Sequence, residues 1–411
     1  MMLSGRIRRP DGEMLLSMTD LDLSIVLPCL NESETIGTCI RKALHSIAEL
    51  GLRGEVIVAD NGSTDDSVKI ARELGAVVVS VAEKGYGNAL RGGIESSRGR
   101  WVIMGDADDS YDFANLKQFI KKFSEGYDLV MGCRLPGGGG TILPGAMPWK
   151  NRWIGNPVLS FIGRLFFGGA VRDFHCGLRG LTREAFDKME LTTTGMEFAS
   201  EMVIKGVMLK SLRIAEVPIR LHPDGRTRPP HLKPWRDGWR HLRFMLLYSP
   251  RWLFLIPGML LSTVGVIASV ALSFRNFRVG LVEFNVGTLA VACMTVIIGF
   301  QLVAFAFYTK VFAMAERLLP PDPRFARLFR FFTLEKGILA GFFVLVAGAL
   351  LILHAFWIWQ KAGFGSLSME DNLRRTIPAA TLVIVGVQTI FSSFFMSALG
   401  LKTASRRPPG Y

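Results

Sequence analysis

Four long apolar stretches crowd the last third of this chain, at residues 252–274, 286–312, 337–360 and 377–399. Each is close to the ~20 residues that a helix needs to cross a bilayer. Soluble helices of such length keep a charged face and these do not, which argues against a buried helical domain and for a four-span membrane region at 251–401. The chain has 411 residues, 49% of them hydrophobic, and a mean hydropathy of +0.31, so a full domain still fits ahead of the spans.

Basic residues predict the orientation. Arg317, Arg324, Arg327, Arg330 and Lys336 lie between the second and third spans, and Lys402, Arg406 and Arg407 lie in the tail at 402–411. Both segments are therefore expected on the cytoplasmic side. An even number of spans puts the N-terminal region there too, and the loops near 275–283 and 361–375 outside, although Arg374 and Arg375 weaken the asymmetry. Arg6, Arg8 and Arg9 in the N-terminal extension, 1–21, are followed by no apolar run, so no signal peptide is expected there. Cys29, Cys39, Cys133, Cys176 and Cys293 are odd in number without C-x-x-C spacing, as suits reduced thiols. The net charge of +13, beside four spans, points to anionic membrane lipids and not to nucleic acid. Homo-oligomerisation stays open.

Ahead of the spans, short apolar runs alternate with helical stretches. "LSIVLP", "EVIVAD", "AVVVSV", "WVIMGD" and "DLVMGC" read as strands, and the helices between them are expected near 33–50, 64–74, 88–97 and 113–123. This alternation predicts a Rossmann-like α/β domain over 22–228, with an open, mostly parallel sheet and helices on both faces. Ligands bind such sheets outside the carboxyl ends of the strands. The polar clusters sit at those ends: Asn31–Glu32, Asp60–Asn61, Lys84–Gly85, Asp106–Asp109 and Arg134.

Asp106 and Asp108, at the end of "WVIMGD", can hold a divalent cation through oxygen, Mg²⁺ or Mn²⁺. The alternative is that Asp108, Asp109 and Ser110 only cap a helix starting near Phe113. "KGYGNALRGG" resembles a dinucleotide loop, but Leu90 stands where the third glycine belongs, which removes an NAD site.

"IVLPCLNESETI", "VIVADNGSTDDS", "KGYGNALRGG", "DADDSYD" and "VMGCR" occur in the order and spacing of family 2 glycosyltransferases with the GT-A fold. Over about 23–228 the chain most resembles their polyprenyl-phosphate branch, which includes dolichyl-phosphate mannose and glucose synthases and undecaprenyl-phosphate relatives. The resemblance implies an inverting transfer of sugar from a nucleotide diphosphate to a polyprenyl phosphate. It gives Pro28, Asn31, Glu32, Lys84 and Gly85 to the nucleotide sugar, Asp60 to the base, and Asp106 and Asp108 to the metal and diphosphate. Asn61 stands where many members have a second Asp.

In "DFHCGLRGLTREAF" the resemblance marks Asp173 and Arg179, and in "MEFASEMVIK" it marks Glu201, as groups near the reacting centre, with Glu197 on the same helical face. His175 is expected to be a packed, hydrogen-bonded side chain and not a metal ligand. A lipid phosphate has a second pKa near ~6 and arrives ionised, so its main requirement is a cationic receiver. Arg134, Arg226 and Arg228 are the candidates for the acceptor phosphate. Residues 149–168 and 229–250 mix aromatic, aliphatic and basic positions and are expected to be interfacial amphipathic helices.

The expected enzyme is a metal-dependent membrane glycosyltransferase using a UDP-hexose, UDP-glucose before GDP-mannose. A processive polysaccharide synthase is a rival that lacks the Q-x-x-R-W motif here. A non-catalytic protein that kept the fold is another, but the metal and phosphate residues are all present.

Overall fold

The computed structural model describes residues 21–227 and 234–400, apart from 317, 321, 324, 326 and 328–332. Arg228, Arg317, Arg324, Arg330, the N-terminal extension and the tail therefore lie outside the described residues. Two compact units are present, Met1–Met245 and Leu246–Tyr411.

The first unit is built on a seven-stranded sheet: β1 (Leu21–Cys29), β2 (Gly54–Asp60), β3 (Val77–Ser80), β4 (Gly99–Met104), β5 (Leu129–Cys133), β7 (Arg179–Thr182) and β8 (Ile214–Pro218), with β6 (Thr141–Ile142) and β9 (Arg220–Leu221) forming a small second sheet. Its order is β3-β2-β1-β4-β7-β5-β8. All neighbours are parallel except β7, which runs antiparallel between β4 and β5.

The two-residue period of β1 explains the layers. Leu23, Ile25, Leu27 and Cys29, with Val56 and Val58 of β2, join one core cluster with residues of α1 (Ile36–Glu49), α2 (Ser67–Glu73) and α4 (Lys117–Ser124). Val26 and Ala59 face the other way, where α3 (Tyr86–Ser96) comes so close that a Cβ on Gly93 would stand 2.6 Å from Val26. Helices thus cover both faces, as the alternation predicts. The helix expected near Phe113 starts at Lys117 instead, and Leu116 ahead of it gives no side-chain cap. Asp109 pairs with Lys42 at 2.7 Å, so the capping alternative fails.

Within 149–168, a wide π turn at Asn151–Gly155 leads into α5 (Asn156–Phe167). This helix buries Ser160 and Gly163 and exposes Val158, Phe161 and Leu165, large apolar residues at helical spacing that continue Ile154 of the turn before it. Gly163 lies against the Phe174 ring, and the Ser160 hydroxyl accepts from the Phe174 amide. α6 (Arg183–Met189), α7 (Glu197–Met208) and α8 (Pro234–Leu247) follow.

The second unit holds α9 (Ile256–Phe274), α10 (Val286–Ala315), α11 (Leu334–Lys361) and α12 (Met369–Gly400). Each is long and apolar enough to cross a membrane, and together they match the four expected spans. A short hairpin, β10 (Phe277–Val279) and β11 (Val282–Phe284), fills the first loop between them. Small residues let the helices meet: a Cβ on Gly341 would stand 2.8 Å from the Gly386 carbonyl oxygen, and one on Gly258 would stand 2.9 Å from that of Gly299.

Candidate active site

The carboxyl ends of β1, β2 and β4 surround a crevice of about 300 Å³, lined by Pro28, Glu32, Asn61, Tyr86, Asp106 and Asp108 on the sheet side. Met196, Arg226, Arg236 and Arg240 complete it. Carboxylates and guanidinium groups thus share one cavity.

Asp106 and Asp108 leave β4 on a loop that the segment 222–226 flanks: the His222 and Gly225 amides donate to the Ser110 and Asp108 carbonyls. One Asp106 oxygen accepts from the Tyr86 hydroxyl at 2.9 Å. Burial, and then the charge of Asp108, push Asp106 up to about 6. Asp108 accepts from the Ser110 amide and hydroxyl with one oxygen, and from Arg226 at 2.8 Å with the other.

Arg226 also reaches Glu32 at 3.2 Å and Asp224 at 3.1 Å, while its buried Nε has no partner among the described residues. An orphan donor in a polar crevice is what an incoming phosphate oxygen would satisfy.

Asn31 takes a left-handed backbone, φ 59°, which Asn tolerates better than most residues. Its side chain accepts from the Thr64 amide, and its own amide donates to Ser63, so the loops after β1 and β2 are tied together. Asp60 accepts from the Gly62 and Ser63 amides in the same turn. Asn61 explains its departure from the family pattern: its amide donates to the Val81 and Glu83 carbonyls while its oxygen accepts from Gly85. A carboxylate could not supply those two donors. Lys84 folds back onto the Asn61 carbonyl at 2.6 Å. Gly85, at φ 138°, lies where a Cβ would stand 2.3 Å from the Thr194 carbonyl oxygen, so the start of α3 is pressed onto the 192–194 loop.

Of the expected site residues, Asn31, Asp60, Lys84, Gly85, Arg134, Asp173, Arg179 and Glu201 lie outside the crevice lining. Glu201 is fully buried, accepts from the amides and hydroxyls of Thr192 and Thr193, and pairs with Lys205 at 2.8 Å. Arg134 and Asp173 form a buried two-pronged ion pair with both contacts at 2.8 Å. Burial raises the Asp173 pKa, but the Arg134 charge and its hydrogen bonds outweigh that and hold it below the ordinary range. Arg179, also fully buried, donates to the carbonyls of Phe174, Cys176 and Ala199.

His175 corrects an expectation: neither of its shielded ring nitrogens has a hydrogen-bond partner among the described residues. Its ring lies 4.7 Å from that of His241, and burial, then His241, keep its pKa well below the ordinary value. Glu197 pairs with Arg240 at 3.7 Å. Tyr86, which lies within "KGYGNALRGG" but to which the resemblance gives no role, and Arg236 and Arg240, which lie outside the motifs, are further crevice residues. Only the four-residue spacing of the two arginines signals a shared helix face.

A mostly parallel α/β sheet with an Asp-Ala-Asp loop and basic groups at its strand ends, carried by a chain with four apolar spans, defines a membrane glycosyltransferase of the GT-A fold. The chain belongs to glycosyltransferase family 2: the model "Glycosyl transferase family 2" matches residues 24–190, and "Glycosyltransferase family 2 C-terminal transmembrane region" matches 307–400. It is 37% identical over 394 residues to the low-salt glycan biosynthesis hexosyltransferase Agl6 of Haloferax volcanii, covering 95% of this chain and 92% of that one. A dolichyl-phosphate hexose transferase of the same organism is 33% identical over 199 residues, 48% of this chain and 82% of that one. Among solved structures, glucosyl-3-phosphoglycerate synthase from Mycobacterium tuberculosis with Mn²⁺, UDP and glucosyl-3-phosphoglycerate aligns at a TM-score of 0.43 and 23% identity, covering 59% of this chain and 84% of that one.

Proposed function

We propose that this glycosyltransferase moves one hexose from a nucleotide-diphosphate sugar, UDP-glucose before GDP-mannose, to a polyprenyl phosphate (undecaprenyl or dolichyl) on the cytoplasmic membrane face. The observation that carries this reading is the two-signed crevice, with Asp106 and Asp108 facing Arg226, Arg236 and Arg240. The names of the two Haloferax relatives, a hexosyltransferase and a dolichyl-phosphate hexose transferase, support it.

Asp106 and Asp108 fit a divalent cation, Mg²⁺ or Mn²⁺, because they offer oxygen donors in one crevice and the charge of Asp108 burdens the buried Asp106. When bound, the metal supplies Lewis-acid neutralisation of the departing diphosphate. Pro28, Asn31, Glu32, Asp60, Lys84 and Gly85 shape the nucleotide-sugar side. Arg226, Arg236 and Arg240 receive the acceptor phosphate, and Arg228 adjoins them in sequence. A phosphate oxygen forms the bond to the anomeric carbon as the bond to the diphosphate breaks with its electron pair, which inverts that carbon. The acceptor is already ionised, so no base is required. Asp173, Arg134 and Glu201 hold the floor of the site in place without touching the reacting groups.

The exposed apolar stripe on α5 supports a lipid-facing edge to this domain, and Arg327 and Lys336 support a cytoplasmic side. The test is label transfer from UDP- and GDP-sugars to undecaprenyl and dolichyl phosphate by purified protein in detergent, with Mg²⁺, Mn²⁺ or chelator. A metal-requiring lipid carrying one sugar is expected. Polymer, or no labelled lipid while donor still binds, would overturn the reading.

A further inference from the structure

Asp106 and Asp108 each have one carboxylate oxygen already in use. The Tyr86 hydroxyl donates to one Asp106 oxygen at 2.9 Å, and the Ser110 amide and hydroxyl both donate to one Asp108 oxygen. Each side chain is therefore left with a single oxygen to turn to a cation, and on Asp108 that oxygen meets Arg226.

Two features hold Asp106 in this state. Tyr86 opens α3, whose first turn is anchored: the Gly87 and Asn88 amides donate to the Thr194 carbonyl, and a Cβ on Gly87 would stand 2.6 Å from the Thr193 carbonyl oxygen. The phenol thus reaches Asp106 from a backbone that cannot slide. At the second Asp106 oxygen lies Gly177, where a Cβ would stand 2.8 Å from that oxygen and 2.9 Å from the Tyr111 hydroxyl. The Gly177 amide donates to this hydroxyl at 2.7 Å, which fixes the approach. Gly177 has no left-handed φ, so glycine is needed there for room and not for backbone conformation. The missing side chain keeps the second oxygen open.

We infer that Tyr86 is a positioning residue that sets cation specificity: by holding one Asp106 oxygen it makes the carboxylate a one-oxygen ligand, which favours Mg²⁺ or Mn²⁺ over Ca²⁺. The inference rests on the metal role proposed above for Asp106 and Asp108. Calcium gathers about six to eight oxygens in a flexible shell and readily takes both oxygens of one carboxylate, whereas magnesium holds about six in a strict octahedron and keeps several waters. Carboxylates limited to one oxygen each suit the second habit. Phenylalanine at position 86 would keep the ring and release the oxygen.

Full-length protein in detergent would be dialysed to equilibrium against radioactive Mn²⁺ and excess UDP, with GDP in a parallel series, and the retained Mn²⁺ displaced with Mg²⁺ or Ca²⁺. The unaltered protein should need about tenfold more Ca²⁺ than Mg²⁺ for half displacement and Tyr86→Phe nearly equal amounts, because one hydrogen bond to a charged group is worth about a factor of ten. A purely structural role for the hydroxyl would weaken all three cations together and leave the ratio as it was, which would overturn the inference. Equal displacement by Ca²⁺ and Mg²⁺ in the unaltered protein would overturn it too, and needs no variant to fold. In both cases metal-requiring transfer to polyprenyl phosphate leaves the proposed function standing. If the unaltered protein retains no Mn²⁺ with either nucleotide, the metal role itself falls and the inference with it.

Discussion

Asp108 and Asp173 both sit near strand ends, yet substitutions there should fail in different ways. Asp108→Asn should lower metal-dependent transfer at least ~100-fold, because a preorganised charge at the diphosphate is lost, while the melting temperature stays close to that of the unaltered protein. Measuring both on one preparation checks it. Asp173→Asn instead strands the buried Arg134 charge, and should cost about 3–5 kcal/mol of stability, read by denaturant titration of the membrane-solubilised protein. Because the folded Asp173 pKa is depressed, the pair contributes fully above the unfolded value of ~3.9, and its contribution is lost as pH falls through the folded value. The unaltered protein should thus keep this contribution down to about pH 4, and Asp173→Asn should flatten the acid limb of the stability profile. The motif residues Asp106, Asp108 and Glu32 were legible because each lies just beyond an apolar strand. Arg236 and Arg240 were not, since nothing local to α8 shows that its basic side meets the crevice. Arg134 and Glu201, expected as contact groups, lie buried in ion pairs: a motif position records that a residue is needed, and its burial bears on what for.

Among the elements, the 192–194 loop links the buried Glu201 to the start of α3. Thr194 accepts from the Gly87 and Asn88 amides, and Thr193 from Arg91. Glu201→Gln should therefore raise KM for the nucleotide sugar several-fold as well as lower stability by about 3 kcal/mol, through the unpaired Lys205. Donor-concentration series and melts separate the two effects. On α5, replacing Phe161 and Leu165 by Glu should reduce transfer to long-chain polyprenyl phosphate while sparing a short-chain acceptor, as an interfacial stripe requires. The four β1-to-β4 strands were readable from their apolar runs. β7 was not: four residues with Gly180 inside carry little strand signal, and the strand exists because β4 and β5 flank it on both sides.

For the whole molecule, the proposed topology follows from the four spans and the distribution of basic residues. The five native cysteines are buried, so a single introduced thiol can report sidedness. Leu281→Cys, at the fully exposed tip of the hairpin between the first two spans, should react with an impermeant maleimide from outside sealed cells. Lys336→Cys should react only after the membrane is opened. The spans were legible from composition alone, because hydrocarbon leaves a chain little choice beyond long apolar helices. How they pack was not, because that depends on where glycines let α11 and α12 touch.

Arg226, Arg236 and Arg240 balance Glu32, Asp106 and Asp108 in the crevice lining before any ligand arrives, and the Arg226 guanidinium is already engaged by Asp108, Glu32 and Asp224. A bare divalent ion would have to evict that guanidinium, and a bare nucleotide would meet two carboxylates. A diphosphate and a cation arriving as one chelate offer each partner its opposite sign in the same step. On the proposed chemistry, the site is expected to respond to the two together and little to free magnesium or phosphate alone.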